Sequence, residues 1–148
     1  MLAEQMAEET PLVTLNTSAL EAARMLATHR LPGLIVTDAQ GQPYSVLPAS
    51  QVVRFIVPGY VQDDPSLARV LSESMADQAA DTLASRRVSD VLPPERPELC
   101  VVRHDDTVIE VAAMMARLRS PLVAVVRGGD MIGVISASRL LEFALRPH

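Results

Sequence analysis

The feature that most constrains this chain is an internal repeat. The stretch Ser18-Ala-Leu-Glu21-Ala-Ala23-Arg-Met25-Leu-Ala27-Thr-His-Arg30-Leu-Pro32 is matched, at a constant shift of 89 residues, by Thr107-Val-Ile-Glu110-Val-Ala112-Ala-Met114-Met-Ala116-Arg-Leu-Arg119-Ser-Pro121. Glu, Ala, Met, Ala, Arg and Pro recur in register. Farther along, Val46-Leu-Pro-Ala49-Ser50 matches Val134-Ile-Ser-Ala137-Ser138 and Phe55 matches Phe143, now at a shift of 88. The one-residue change falls between Asp38 and Val46, where a hairpin turn is expected. A duplication this long limits the fold to two copies of one unit.

Each copy reads the same way locally. Leu12-Val-Thr-Leu15 and Cys100-Val-Val-Arg103 are short β-prone entries. Ser18-x-x-Glu21 and Thr107-x-x-Glu110 are capping boxes, in which hydroxyl and carboxylate satisfy the free amides of a helix start. Helices follow with apolar faces at Leu20, Ala23, Leu26, Ala27 and at Ile109, Ala112, Met115, Ala116. Pro32 and Pro121 end them, because proline carries no amide and disfavours helix at the residue before it. Leu34-Ile-Val36 and Leu122-Val-Ala-Val-Val126 are buried strands. Asp38-Ala-Gln-Gly41 and Arg127-Gly-Gly-Asp130 are hairpin turns, with return strands Pro43–Leu47 and Met131–Ile135. A closing helix runs from about Ala49 to Val57 in one copy and from about Ala137 to Leu145 in the other. Each unit is therefore β-α-β-β-α.

Between the copies, Pro58-Gly59 stops the first closing helix, and Asp64-Pro65 supplies an N-cap and an N1 proline for another. Leu67, Val70, Leu71, Met75, Ala79 and Leu83 form a helical stripe reaching Arg86-Arg87, with Asp77 and Asp81 on the solvent side. Val88-Ser-Asp-Val-Leu92 resembles Leu2-Ala-Glu-Gln-Met6, so both copies have a short lead-in. Pro93-Pro94-Glu-Arg-Pro97 is a stiff connector.

Composition excludes several function classes. The 148 residues carry a formal net charge of −5, which opposes binding to a phosphate backbone, so no nucleic-acid partner is expected. All 13 basic residues are arginine, which removes Schiff-base and Walker-lysine chemistry. The single cysteine, Cys100, has no internal partner and reads as a small buried hydrophobe in a reducing, cytoplasmic compartment. No apolar run approaches the ~18–20 residues that span a bilayer, so no membrane insertion is expected, and Met1-Leu2-Ala3-Glu4-Gln5 lacks the basic and apolar regions of a secretion signal. Met25, Met114 and Met115 are at core spacing.

Two β-α-β-β-α units with lead-ins, capping boxes and a Val-Thr-Asp38 strand end before a glycine turn resemble a pair of CBS (cystathionine-beta-synthase) domains. The resemblance covers about Leu2 to Leu145. It implies an α+β fold in which residues 1–58 and 88–148 pack as one pseudo-twofold module, with 59–87 an extra helical segment. It also implies a homodimer and a regulatory, non-enzymatic role. In that family, clefts between the units often hold AMP, ADP, ATP or S-adenosylmethionine. Aliphatic side chains sandwich the adenine, and a Ser/Thr-x-x-Asp pattern at the last helix holds phosphate and ribose. The matching positions are Pro48 and Gln51 in one copy and Ser136 and Arg139 in the other. Gln51 offers one amide oxygen to a ribose diol and Arg139 offers none, since guanidinium only donates. Ser136 with Arg139 instead suits an anion. The candidate ligand residues implied are Ser136, Arg139, Arg103, His104, Gln51, Val102, Val13, Ile35 and Asp38. No cofactor is required.

Blander readings stand beside these. Arg139 is also explained as an ion-paired surface residue, Ser136 as a helix cap, and His29 and Arg30 as cations favoured at a helix end. His104-Asp105-Asp106 has some appearance of a metal or acid–base cluster, but a solvated loop accounts for it. No nucleophile elbow, glycine-rich phosphate loop, C-x-x-C or H-E-x-x-H is present. Two functional classes survive: a sensor of an adenosine-containing or phosphorylated small molecule, and a ligand-free module that docks on a regulated enzyme or transporter. Aliphatic residues of the closing helices (Val52, Val53, Ile56, Leu140, Leu141, Leu145) favour self-association.

Overall fold

The hydroxyl half of each expected capping box forms. In the computed structural model, which describes residues 1–57, 59–70, 73–96 and 98–146, Ser18 Oγ accepts from the Glu21 amide at 3.4 Å and Thr107 Oγ1 from the Glu110 amide at 3.3 Å. They start α2 (Ala19–His29) and α7 (Val108–Leu118). Arg30 and Arg119 end these helices in the left-handed region, at φ 52° and 50°. Pro32 and Pro121 follow, and the chain turns into the next strand.

The first unit is β1 (Leu12–Thr14), α2, β2 (Gly33–Thr37), β3 (Pro43–Pro48) and α3 (Ala49–Ile56). The second is β4 (Val101–Arg103), α7, β5 (Leu122–Arg127), β6 (Asp130–Ser136) and α8 (Ala137–Ala144). Each forms a three-stranded sheet with a parallel crossover pair and an antiparallel hairpin. Ladder irregularities fall at the same place in both hairpins, at Val36/Thr37 and Val125/Val126. The expected β-α-β-β-α order is thus realised twice.

The helix faces meet the expectation in part: Leu26 and Met115 are buried and Leu20, Ala23 and Ala112 pack against the cores. Ile109 is 76% exposed and Ala27 and Ala116 are exposed, whereas Ala19, Ala22 and Leu26, and Val111 and Met115, are buried. Almost every position of 108–116 is apolar or small, so helical spacing alone leaves the phase of the buried stripe open. Docking onto the sheet settles it.

The middle segment is also more broken than one helix. It comprises α4 (Gly59–Asp63), a 3-10 turn (Pro65–Val70) and α5 (Glu73–Ala84). Asp64 caps the turn, its Oδ1 accepting from the Ser66 amide (3.2 Å) and hydroxyl (2.7 Å). Leu83 is buried. Pro58, Leu71 and Pro97, which the sequence reading used, lie outside the described residues.

The lead-ins are exchanged between the units. Ala3 and Met6 of α1 (Ala3–Met6), both 0% exposed, belong to the core formed by Val102, Val111, Met115, Val125 and Ile135 of the second unit. Val88 and Val91 of α6 (Val88–Val91) belong to the core of the first, with Val13, Leu34, Val36 and Leu47. Backbone bonds match one for one. Ala3 and Glu4 amides donate to Asp106 and His104 carbonyls (2.7 and 3.0 Å), and Val88 and Ser89 amides donate to Thr17 and Leu15 (2.9 and 3.1 Å). These bonds pair Ala3 with Val88, one residue away from the lead-in alignment read in the sequence. Glu8 then pairs with Val134 beside β6 (Glu8 N to Val134 O and Val134 N to Glu8 O, both 2.9 Å). Gly133 permits this, since a Cβ there would stand 2.9 Å from Ala7 Cβ and 3.0 Å from Glu8 O.

A third buried cluster, Ile35, Val46, Leu122 and Val134, joins the two sheets. Val46 and Val134 are repeat equivalents, so this cluster lies on the pseudo-dyad.

Met6 sits in a four-residue helix near the chain start, yet Met6→Ala is expected to cost about 2–4 kcal/mol in urea unfolding, as for a core cavity. A loss under about 0.5 kcal/mol, the range of surface changes, would contradict the exchanged packing.

Candidate functional site: the cleft between the repeats

The C-terminal end of β6 and the start of α8 face the end of α2 and the Glu8–Thr10 segment across a cavity of about 160 Å³. Ser136, Ser138, Glu8, Thr10 and Arg30 supply its polar lining. Leu31, Pro32, Gly33, Leu122 and Val134 supply the apolar part. Apolar walls with few converging polar groups are the usual make-up of a small-ligand site, though drug-sized pockets run to ~300–1,000 Å³. The volume here suits a phosphate ester or similar fragment.

Charges around it are unequally satisfied. Glu8 is held by Arg139, Nε to Oε1 at 3.1 Å, so its charge is offset. Arg30 has no ion pair or side-chain hydrogen bond among the described residues. It also holds a positive φ, which costs a non-glycine residue about 1–2 kcal/mol, and its repeat equivalent Arg119 does the same. The unpaired guanidinium is the group in this cleft that suits an anion.

The residues expected to bind ligand separate on inspection. Ser136 lines the cleft, and its Oγ also caps α8 by accepting from Arg139 N at 3.2 Å. Arg139 does not reach inward: its Nε donates to Met6 O at 3.1 Å, and its guanidinium meets Glu8 and Glu142. Gln51 does the same in the other unit, its Nε2 donating to Val91 O at 2.9 Å. Thus the two positions where the resemblance puts a ribose-binding carboxylate carry donors that pin the exchanged lead-ins. A carboxylate could not make these bonds, because a carbonyl only accepts.

The remaining candidate residues have the following packing and local bonds in this structure. Val13 and Val102 are 2% exposed, each the inward residue of a three-residue strand, and Ile35 is 1% exposed in the inter-sheet cluster. None of the three has surface to offer a ligand. Asp38 closes its hairpin, Oδ1 accepting from Gln40 and Gln42 amides at 2.9 and 3.0 Å. Arg103 is exposed and meets Asp105 at 3.4 Å, while Asp106 accepts from Arg103 N. His104 Nδ1 is buried 3.3 Å from Glu4 Oε2, off the line of a hydrogen bond, and Arg127 also binds Glu4. This cluster anchors α1 to the second unit. No group of three or more His, Cys, Asp or Glu suited to a metal occurs among the described residues.

Sequence reasoning missed Glu8, Thr10, Arg30 and Ser138. The repeated Arg30/Arg119 pair was the available signal, but backbone conformation and the lead-in exchange are tertiary facts.

A family model for the CBS domain matches residues 88–146. A CBS domain-containing protein of unknown function from Kribbella flavida is 64% identical, with 99% of each chain covered and a TM-score of 0.89. The CBS domain of a CBS domain-containing membrane protein from Sphaerobacter thermophilus is 18% identical over 96% of this chain and 86% of its own, with a TM-score of 0.72. CBSX2, solved in complex with AMP, is 16% identical over 97% and 96%, with a TM-score of 0.67. No curated protein matches. Among the described residues no helix is long and apolar enough to cross a membrane.

Two outcomes follow. Arg139→Leu is expected to cost about 1–2 kcal/mol more stability than Arg103→Leu, which removes only an exposed pair; equal effects would mean that Arg139 pins nothing. Burial, with Glu98 adding to it, pushes the Cys100 thiol up to about 11. The native thiol is therefore protonated at pH 8 and reacts with a disulfide reagent only as fast as the chain opens, whereas prompt native-state labelling would place it at the surface.

Proposed function

Because the chain belongs to the CBS domain family, we propose that it is a non-enzymatic regulatory module whose second-repeat cleft takes a phosphorylated small molecule, an adenosine phosphate first among candidates. The observation that carries this reading is a cavity lined by Ser136, Ser138 and Arg30, whose side chain has no ion pair or hydrogen bond among the described residues. The AMP complex of the CBSX2 neighbour supports the adenosine class.

The phosphate is held first and the nucleoside second. The carboxylate that would grip a ribose diol is missing from positions 51 and 139, and the cavity accommodates a fragment. Glu8 and Thr10 line the same cavity, and Met6 and Glu8 are tied to Arg139. A bound ligand therefore presses on the segment that holds the repeats together, and the module signals by shifting that segment. It does so as a homodimer attached to a regulated enzyme or transporter.

A second reading, a ligand-free docking module, draws on the use of Gln51 and Arg139 as internal ties. Thermal unfolding separates the two. At 100 times its Kd a ligand that binds only the folded state adds about 2.7 kcal/mol, a rise of roughly 5–10 °C for a chain of this size. AMP, ADP or ATP at millimolar concentration is expected to give such a rise, S-adenosylmethionine, which has no phosphate, is not, and Arg30→Ala is expected to abolish it. No rise with any phosphate compound overturns the sensor and leaves the docking module.

A further inference from the structure

The closing helices α3 and α8 are repeat equivalents, and the charges around their shared aromatic ring are reversed. In the second unit the guanidinium groups of Arg139 and Arg146 lie over the Phe143 ring, 4.6 and 4.1 Å from its centroid. Arg139 is held between Glu8 (3.1 Å) and Glu142 (3.6 Å). The chain thus supplies its own cation to that ring and its own anions to that cation. In the first unit the ring is kept as Phe55, but Gln51 and Pro58 stand at the two arginine positions. The anions are replaced as well. Arg54 stands where Glu142 stands, and Pro93 where Glu8 stands.

What the second unit fills with its own side chains, the first leaves open. A groove of about 690 Å³ is lined by Gln51, Arg54 and Phe55 of α3 and by Pro93, Pro94 and Glu95 of the connector. Small-molecule sites run to ~300–1,000 Å³. Among the described residues no guanidinium lies over Phe55, and the Arg54 side chain has no ion pair or hydrogen bond. Both walls are held in place by the chain itself. Gln62 Nε2 donates to the carbonyls of Arg54 and Val57 at 2.9 and 2.8 Å, Gln51 ties α3 to Val91, and Arg96 of the connector lies over the Tyr44 ring at 4.1 Å. A groove already formed costs its ligand less ordering.

The chemistry of the lining selects the occupant. Phe55 and two prolines offer an apolar surface, and a phenyl ring favours offset or edge-on contact with a second ring. An exposed guanidinium takes a carboxylate through two parallel hydrogen bonds. A cation, which is what the second unit places on this ring, would meet Arg54 instead of Glu8 and Glu142 and be repelled. Glu95 on the other wall opposes a second negative charge, which disfavours a polyphosphate.

We propose that the groove between α3 and the connector binds a small aromatic monocarboxylate, its ring against Phe55 and Pro93–Pro94 and its carboxylate on Arg54. None of the lining residues belongs to the cleft that contains Arg30 and Ser136, so this site stands apart from the function proposed for that cleft.

Calorimetric titration of the full chain with 2-naphthoate tests it, with backbone amide NMR to locate the probe. Naphthoate should bind with a Kd of millimolar order or tighter, as a ligand of its size allows. It should shift the amides of residues 51–55 and Glu95 ahead of those of Arg30 and Ser136. The neutral 2-naphthamide should bind ~10-fold or more weakly, and Arg54→Gln should weaken naphthoate by as much. Arg54→Glu, which restores the charge of the second unit, should lose naphthoate and take up 2-naphthylmethylamine. Arg30→Ala should leave naphthoate binding within ~2-fold, since the two sites share no residue. Arg54 is exposed, and thermal unfolding of each variant checks that it folds. No binding of naphthoate overturns the site. Equal binding of acid and amide, or binding indifferent to Arg54, overturns the carboxylate class. Loss of naphthoate in Arg30→Ala places the probe in the cleft and overturns the groove. Naphthoate binding without any response to adenosine phosphates supports the groove and overturns the cleft reading alone.

Discussion

The exchange of lead-ins is the constraint on which the rest of the molecule depends. A three-stranded sheet with two helices has an open end, and each unit closes that end with a segment from the other half of the chain. Met6 fills the second core and Val91 the first. Burying these side chains removes apolar area worth about 25 cal/mol per Å² from water, and the same contact ties residues far apart in sequence. Neither core is complete without the other half of the polypeptide. The inter-sheet cluster of Ile35, Val46, Leu122 and Val134 adds a second tie on the pseudo-dyad.

That arrangement also decides which side chains are free to meet a ligand. Each lead-in ends in a carbonyl that needs a donor, and Gln51 and Arg139 supply it from the first turns of α3 and α8. These positions are given to structural ties, and the arginine that lines the cleft is Arg30, on the end of α2. The two halves are alike in topology but not in chemistry. Pro48 stands where Ser136 stands in the other unit, and α5 lies against α2 and α3 of the first.

Much of the fold was legible in the chain. The 89-residue shift, the two capping boxes and the hairpin turns fixed the number, order and type of elements, because each rests on short-range chemistry. What failed was phase and partnership. Of the expected stripes, Leu26 and Met115 are buried and Leu20, Ala23 and Ala112 pack against the cores, while Ala27, Ile109 and Ala116 face out; on α7 nearly every alternative position is also apolar. Val13, Val102 and Ile35 looked like ligand contacts and are core, since strand alternation shows that a residue faces inward without showing what lies there. Arg139 was expected to meet an anion, and in the structure it meets Glu8 and Glu142 and donates to Met6 O, 133 positions away in sequence. Arg30 passed as a helix-end cation, because dipole and cleft are indistinguishable without the second unit.

The central claim is that two repeats form one cooperative body through exchanged segments. Native-state hydrogen exchange reads it directly, by comparing the amides of Val36 in β2 and Val125 in β5, each 0% exposed and central in its own sheet. Both should exchange only by the same global opening, with equal free energies and equal dependence on denaturant. If one strand's amides exchange through an opening that leaves the other's protected, the repeats are separate folding units and the account fails.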